Sequence, residues 1–171
     1  MKNSHLAALI AALSIAGFFE NVIAQTEPIP DPPRPARPVQ TPLHRQAAAQ
    51  SLAAFRAGDN ETAIAKANEC IARFGDAANR IQTILEDEKA TLPKGAVSEA
   101  DKKRIAPYQI LHDVATCVLI KAWAEEKLGH KSEARKAYSE TKKYTFARMA
   151  DGESFSAPAE IASDRLSKLA R

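Results

Sequence analysis

Two stretches decide the fold: Leu52–Ala77, which reads LAAFRAGDNETAIAKANECIARFGDA, and Ile120–Tyr144, which reads IKAWAEEKLGHKSEARKAYSETKKY. Each stretch has a glycine in its middle, Gly58 in the first and Gly129 in the second. Glycine commonly ends a helix, and short polar residues directly after it can cap the next helix. Each stretch therefore predicts a helix, a tight turn and a returning helix.

The apolar spacing predicts where these helices run. After Gly58, a helix is predicted from Glu61 to Phe74, with Gly75 as its stop. Its apolar residues recur at intervals of three and four, which places them on one helical face: Ile64, Ala67, Ile71 and Phe74.

The second stretch belongs to a longer predicted helix, which enters at Pro107 and runs from Tyr108 to Leu128. After the turn, another helix is predicted from Glu133 to Met149. Residues 114–124 are apolar on nearly every side. Because a helix that is apolar all round is buried on more than one side, this should be the central helix of the domain.

The two stretches resemble tetratricopeptide repeats, in which small side chains let the two helices of a hairpin approach closely. The matching small or turn positions are Ser51, Gly58, Asp59, Ala63 and Cys70 in the first copy and Ala122, Gly129, Ala134 and Thr141 in the second. The resemblance implies an all-α fold, a short α-solenoid of antiparallel helical hairpins. It also implies a non-catalytic scaffold that binds other proteins.

The resemblance further implies a partner-binding face on the first helix of each hairpin, because those helices line the concave side of such arrays. The residues aimed at this face are Leu52, Phe55, Arg56, Leu119, Trp123 and Lys127. Aromatic and aliphatic side chains would anchor a peptide, and the two cations would orient an acidic group or a terminal carboxylate. In the alternative interpretation, the apolar members are core residues covered by another part of the chain.

The rest of residues 44–171 is also predicted to be helical. Residues 77–91 form one helix, and Ser98 to Asp101 is a capping box that opens a short helix ending at Ala106. Residues 77–106 are either a degenerate middle repeat or an insertion. From Pro158 onward, a last helix caps the domain, as the ends of repeat arrays require.

The first 24 residues predict a secretory signal peptide. Lys2 precedes an apolar run from Leu6 to Phe19, and Val22 and Ala24 fit the small-residue rule for a cut before residue 25. The competing interpretation is a membrane anchor, although this run is shorter than the ~20 residues that cross the hydrocarbon. We expect no stable membrane span after cleavage and a periplasmic or secreted location.

Residues 25–43 predict a proline-rich, disordered spacer. Seven of the ten prolines of the chain lie between Pro28 and Pro42. Proline lacks a backbone donor and fixes φ, so the segment should be an extended tether. Pro32 to Pro35 also has the spacing of ligands for proline-recognising modules, which is the alternative function.

The sequence shows no pattern typical of catalysis, metal binding or nucleic-acid binding. The four histidines form no metal-ligand spacing, and no phosphate-binding loop or nucleophile elbow occurs. Basic residues alternate with acidic ones, and the net charge is only +3. We therefore expect no enzyme activity, no cofactor and no metal. Cys70 and Cys117 either form a disulfide, as their even number in an exported chain indicates, or are two small buried residues.

These observations predict an exported scaffold or adaptor that binds another protein or peptide of the cell envelope. One alternative is a small envelope enzyme or the accessory subunit of one. Another is a packing module of a larger envelope complex.

The mature protein should begin at Gln25. Mass spectrometry of the exported protein measures this directly, because cleavage after Ala24 removes the first 24 residues. A chain that keeps Met1 and stays in the membrane fraction would show that the segment is an anchor.

Overall fold

The computed structural model describes residues 41–96, 98–151 and 154–169. The predicted signal peptide and most of the predicted spacer lie outside these ranges. The described part is mostly helical, which confirms the all-α prediction at that level. Its helices are α1 (Leu43–Arg56), α2 (Asn60–Asp87), α3 (Glu99–Ile105), α4 (Gln109–Lys127), α5 (Lys131–Thr141) and α6 (Pro158–Leu169), with a 3₁₀ turn at Ala106–Tyr108 between α3 and α4.

The turns after α1 and α4 have the same backbone geometry. Gly58 and Gly129 have φ angles of 81° and 80°, in the left-handed region that glycine adopts without strain. In each turn, the amide after the glycine donates to the carbonyl five residues earlier. Asp59 donates to Ala54 at 3.0 Å, and His130 donates to Glu125 at 2.9 Å. Both turns therefore end the preceding helix with the same left-handed glycine motif.

Small side chains lie where the helices of each pair meet. In the α1–α2 pair, Ser51 and Ala63 are fully buried, and the Ser51 hydroxyl donates to the Ala63 carbonyl at 3.0 Å. In the α4–α5 pair, Ala122 and Ala134 are fully buried in one core cluster. A side chain no larger than these leaves the helices free to approach closely.

Helix α2 differs from the sequence prediction, because Gly75 does not stop it. The helix continues for 28 residues, from Asn60 to Asp87, and so joins the two helices predicted at Glu61–Phe74 and 77–91. Gly75 is buried inside it and keeps a helical backbone. Glycine costs only about 1 kcal/mol relative to alanine inside a helix, and the strong helix formers Ala77 and Ala78 follow it. The left-handed residue that ends α2 is Lys89, with φ 50°.

Helix α4 is the central helix, as predicted. It packs against α1, α2 and α5, and its residues contribute to every part of the core. A disulfide joins Cys117 of α4 to Cys70 of α2, with the two Cα atoms 6.5 Å apart and both residues fully buried.

A small antiparallel sheet, which the sequence analysis did not predict, joins the segment after α5 to the segment before α3. It has the strand order β1 (Gly95–Ala96), β3 (Ser154–Ser156), β2 (Met149–Asp151). Consequently α5 ends at Thr141 and does not continue to Met149. Strands of two or three residues are too short to show an alternating pattern of apolar and polar side chains.

Residues 144–148 are held away from a helical path by tertiary hydrogen bonds. The buried Arg148 guanidinium donates to the carbonyls of Leu92, Pro93, Thr145 and Ala147. These bonds tie the segment before β2 to the segment before β1. Such long-range contacts override local helix propensity.

His112 of α4 also forms a hydrogen bond with this segment. Its Nδ1 accepts from the Arg148 amide at 3.1 Å, so its Nε2 carries the proton and faces the Ile105 carbonyl at 3.3 Å. Burial, followed by the charge of Arg148, lowers the pKa of His112 to about 4, although the Ile105 carbonyl opposes the shift. The imidazole is therefore neutral and acts as a structural acceptor.

The free energy of unfolding should fall as the pH is lowered from about 6.5 to about 4. Over this range the unfolded chain binds a proton at His112 that the folded chain does not bind. The contribution of His112 to the free energy of unfolding is therefore complete above the pKa of His112 in the unfolded chain, and it is lost as the pH falls toward the pKa in the folded chain. The loss from this group is on the order of 3 kcal/mol.

Urea unfolding at several pH values measures this slope. The control is His112→Gln, whose amide can still accept and donate but does not titrate. We expect the variant to lose less stability between these pH values. Equal slopes in the two proteins would contradict the assignment of a buried, neutral His112.

Candidate functional site

A groove runs along α1 and α4, bordered by β2 in two of its clefts and by α6 in the other one. It consists of three adjoining clefts of about 560, 230 and 240 Å³. The first two clefts share Phe55 and Trp123, and the last two share Leu52, Thr116 and the β2 residues. In the middle cleft, Leu52, Phe55 and Arg56 form the α1 side, Thr116 and Trp123 belong to α4, and Met149 and Ala150 form the β2 side.

An aromatic pair forms the apolar centre of the groove. The rings of Phe55 and Trp123 are stacked, with centroids 5.7 Å apart and an angle of 28° between the planes. Both side chains are half-buried, so each rests on the core and also contributes to the cleft wall. Such an aromatic surface can bind an apolar side chain of a ligand with little loss of conformational entropy.

Two exposed cations flank the aromatic pair. Arg56 borders the middle cleft and Lys127 borders the largest one. Neither side chain has an ion pair or hydrogen bond with another described residue. Both are therefore available to a negatively charged ligand.

The acidic residue in the largest cleft is already paired. Glu126 accepts a hydrogen bond from the Tyr138 hydroxyl at 2.5 Å and is bound by the Arg165 guanidinium of α6. Burial raises the pKa of Glu126, but the hydrogen bonds from Tyr138 and Arg165 outweigh burial, and the pKa lies below its ordinary value. Burial, with the bond to Glu126, raises the pKa of Tyr138. Glu126 is thus an anion paired with Arg165. The charge of Lys127 also helps to lower its pKa, but Lys127 makes no direct ion pair with Glu126.

Near the other end of the groove, a hydrogen bond joins α1 to α4. His44 Nδ1 lies 2.6 Å from an Asp113 oxygen, and the other Asp113 oxygen accepts from Gln109 at 2.8 Å. The His44 ring also contacts the edge of Phe74. These bonds fix the start of α1 on the core, and Arg45 beside them borders the third cleft.

The structure brings together five of the six residues that the repeat resemblance aimed at the binding face: Leu52, Phe55, Arg56, Trp123 and Lys127. Leu119 is the exception, and here the structure corrects the sequence analysis. Its side chain is fully buried in a core cluster with Tyr138 and Ala162, so a partner on the surface cannot contact it. The core interpretation considered for Leu119 is therefore the one that the structure favours.

Sequence reasoning missed other residues that border the groove: Thr116, Glu126, Met149, Ala150 and Arg165. Glu126 could have been predicted. It lies as far along the chain from Phe55 as Gly129 lies from Gly58, so it occupies in the α4–α5 pair the position that Phe55 occupies in the α1–α2 pair. Met149 and Ala150 could not, because a helix was predicted up to Met149 and no strand was predicted after it. Arg165 could not be predicted either. It belongs to α6, and no sequence pattern indicates that α6 packs beside this cleft.

Two further findings concern other kinds of site. The described side chains form no cluster of three or more histidine, cysteine, aspartate or glutamate residues that could hold a metal ion. Within residues 41–96, 98–151 and 154–169, no helix combines the length and the apolar character that a membrane span requires.

Comparison with known proteins identifies no relative. No protein-family model, curated protein or solved structure matches this chain.

Proposed function

We propose that the protein is an exported, non-catalytic scaffold that binds a peptide segment of another cell-envelope protein in the groove between α1, α4 and β2. The observation that carries the proposal is the combination of a stacked aromatic pair with two unpaired cations, Arg56 and Lys127, in one cleft system. An apolar anchor residue would bind at the aromatic pair. An acidic side chain or a C-terminal carboxylate would pair with the cations.

The architecture supports a short, tetratricopeptide-like solenoid of two antiparallel hairpins. The α1–α2 and α4–α5 pairs share their turn geometry and have small residues at equivalent positions. In this interpretation α6 caps the second hairpin, because Ala162 is buried against it. The groove then lies on the side formed by the first helix of each hairpin.

The buried disulfide supports the exported location. Cys70 and Cys117 are fully buried and bridged. Structural disulfides persist in oxidising compartments such as the periplasm or the exterior. Together with the N-terminal signal pattern, the bridge favours a periplasmic or secreted protein over one that stays in the reducing cytosol.

The partner can itself be a subunit of an envelope enzyme complex. In that case the protein acts as the accessory subunit considered in the sequence analysis, and the groove is still the contact surface. The chemistry would then reside in the partner.

The double variant Arg56→Glu/Lys127→Glu should lose partner capture, because it reverses both unpaired charges of the groove. The measurement is affinity capture from the envelope fraction by the tagged mature protein, with crosslinking and mass spectrometry. Far-UV circular dichroism and the melting temperature should match the parent, since both side chains are exposed.

The matched control is Arg80→Glu/Lys103→Glu, which makes the same charge change at two exposed positions that do not border the groove. It should retain capture. If the groove variant captures the same partners as the parent and the control, recognition does not use this groove.

A further inference from the structure

Strand β2 is an edge strand that forms one side of the groove. In the described sheet the order is β1-β3-β2, so β2 pairs with β3 on one side only. Met149 and Ala150 of β2 border the same cleft as Leu52 and Phe55 of α1. The unpaired edge of the sheet is therefore at the groove.

The register of the hairpin determines which backbone groups point toward this edge. Asp151 pairs with Ser154, three positions further along the chain, and residues paired at that separation exchange their backbone hydrogen bonds with each other. Because the pattern alternates along an antiparallel ladder, Met149 also faces β3, whereas Ala150 faces away from it. The Ser156 hydroxyl, 3.4 Å from the Met149 carbonyl on the β3 side, agrees with this orientation.

Ala150 therefore presents a free donor and a free acceptor at the groove. Ala150 is exposed, and its amide and carbonyl make no hydrogen bond to a described residue outside the sheet. Unpaired backbone groups of an edge strand are a template for a further strand. In β-augmentation, an extended peptide uses such groups for affinity and neighbouring pockets for specificity.

We propose that the groove binds its partner as an extended, acidic peptide segment that adds to the free edge of β2. This inference rests on the proposed function and specifies its binding mode. The segment would bond to the Ala150 amide and carbonyl, and alternate side chains would point toward the Phe55–Trp123 pair. Its acidic residues would pair with Arg56 and Lys127, the cations beside the cleft that have no ion pair or hydrogen bond with another described residue.

The probe is a displayed library of random 12-residue peptides, selected on the mature protein. Selected sequences are synthesised without tryptophan, so that Trp123, the single tryptophan of the chain, reports binding by fluorescence. Each peptide is then measured against the parent, Arg56→Glu/Lys127→Glu, Ala150→Pro and the control Ala150→Val. Proline removes the amide donor but is tolerated on edge strands, whereas valine keeps the donor and favours a strand.

We expect selected peptides to be acidic and to bind Ala150→Pro about tenfold more weakly than the parent, while Ala150→Val stays within about twofold. A second measurement uses the unmodified protein, so it holds even if the proline variant folds poorly. Single N-methylation along the peptide should weaken binding at one residue, the one whose amide donates to the Ala150 carbonyl, and be tolerated elsewhere.

The outcomes separate the two proposals. Peptides that need Arg56 and Lys127 but tolerate Ala150→Pro and N-methylation at every position would overturn strand addition and leave the groove as the binding site. If no selected peptide depends on Arg56 and Lys127, the proposed function itself fails, and strand addition fails with it.

Discussion

The close approach of paired helices at small side chains is the contact on which the rest of the structure depends. Ser51 and Ala63 meet between α1 and α2, and Ala122 and Ala134 are buried between α4 and α5. A larger side chain at these positions would separate the helices, because a packed interior has no free volume to take it. The two glycine turns return each chain segment at the distance that this contact requires.

This contact also determines where the groove lies. With α2 and α5 held against their partners, α1 and α4 are left with neighbouring faces that their own pairs do not cover. The disulfide between Cys70 and Cys117 holds α2 to α4, and the His44–Asp113 contact holds the start of α1 to α4. The stacked aromatic pair then lies where α1 meets α4, so the candidate binding surface follows from helix packing.

The sequence was sufficient to predict the parts that depend on local patterns. The turn at Gly58, the cap at Ser98, the burial of α4 and the last helix from Pro158 all follow from residue spacing, capping or composition. It was not sufficient at Gly75, where the small propensity cost of a glycine did not end the helix. Nor was it sufficient in residues 144–148, where tertiary hydrogen bonds override a helical pattern.

The candidate site, too, could be predicted from the sequence only in part. Leu52, Phe55, Arg56, Trp123 and Lys127 were expected at the groove from the repeat resemblance. Leu119 was misplaced because the resemblance cannot distinguish a covered face from an open one. The β2 edge depends on hydrogen bonds from Arg148 to distant carbonyls, which no local pattern encodes. The most direct test of the account is the free energy of unfolding of Ala63→Leu and Ala134→Leu, with the exposed Lys136→Leu as control. Each core variant should lose about 1–3 kcal/mol through overpacking, and the control should match the parent. Parent-like stability in both core variants would contradict the claim that small side chains set the spacing of the helix pairs.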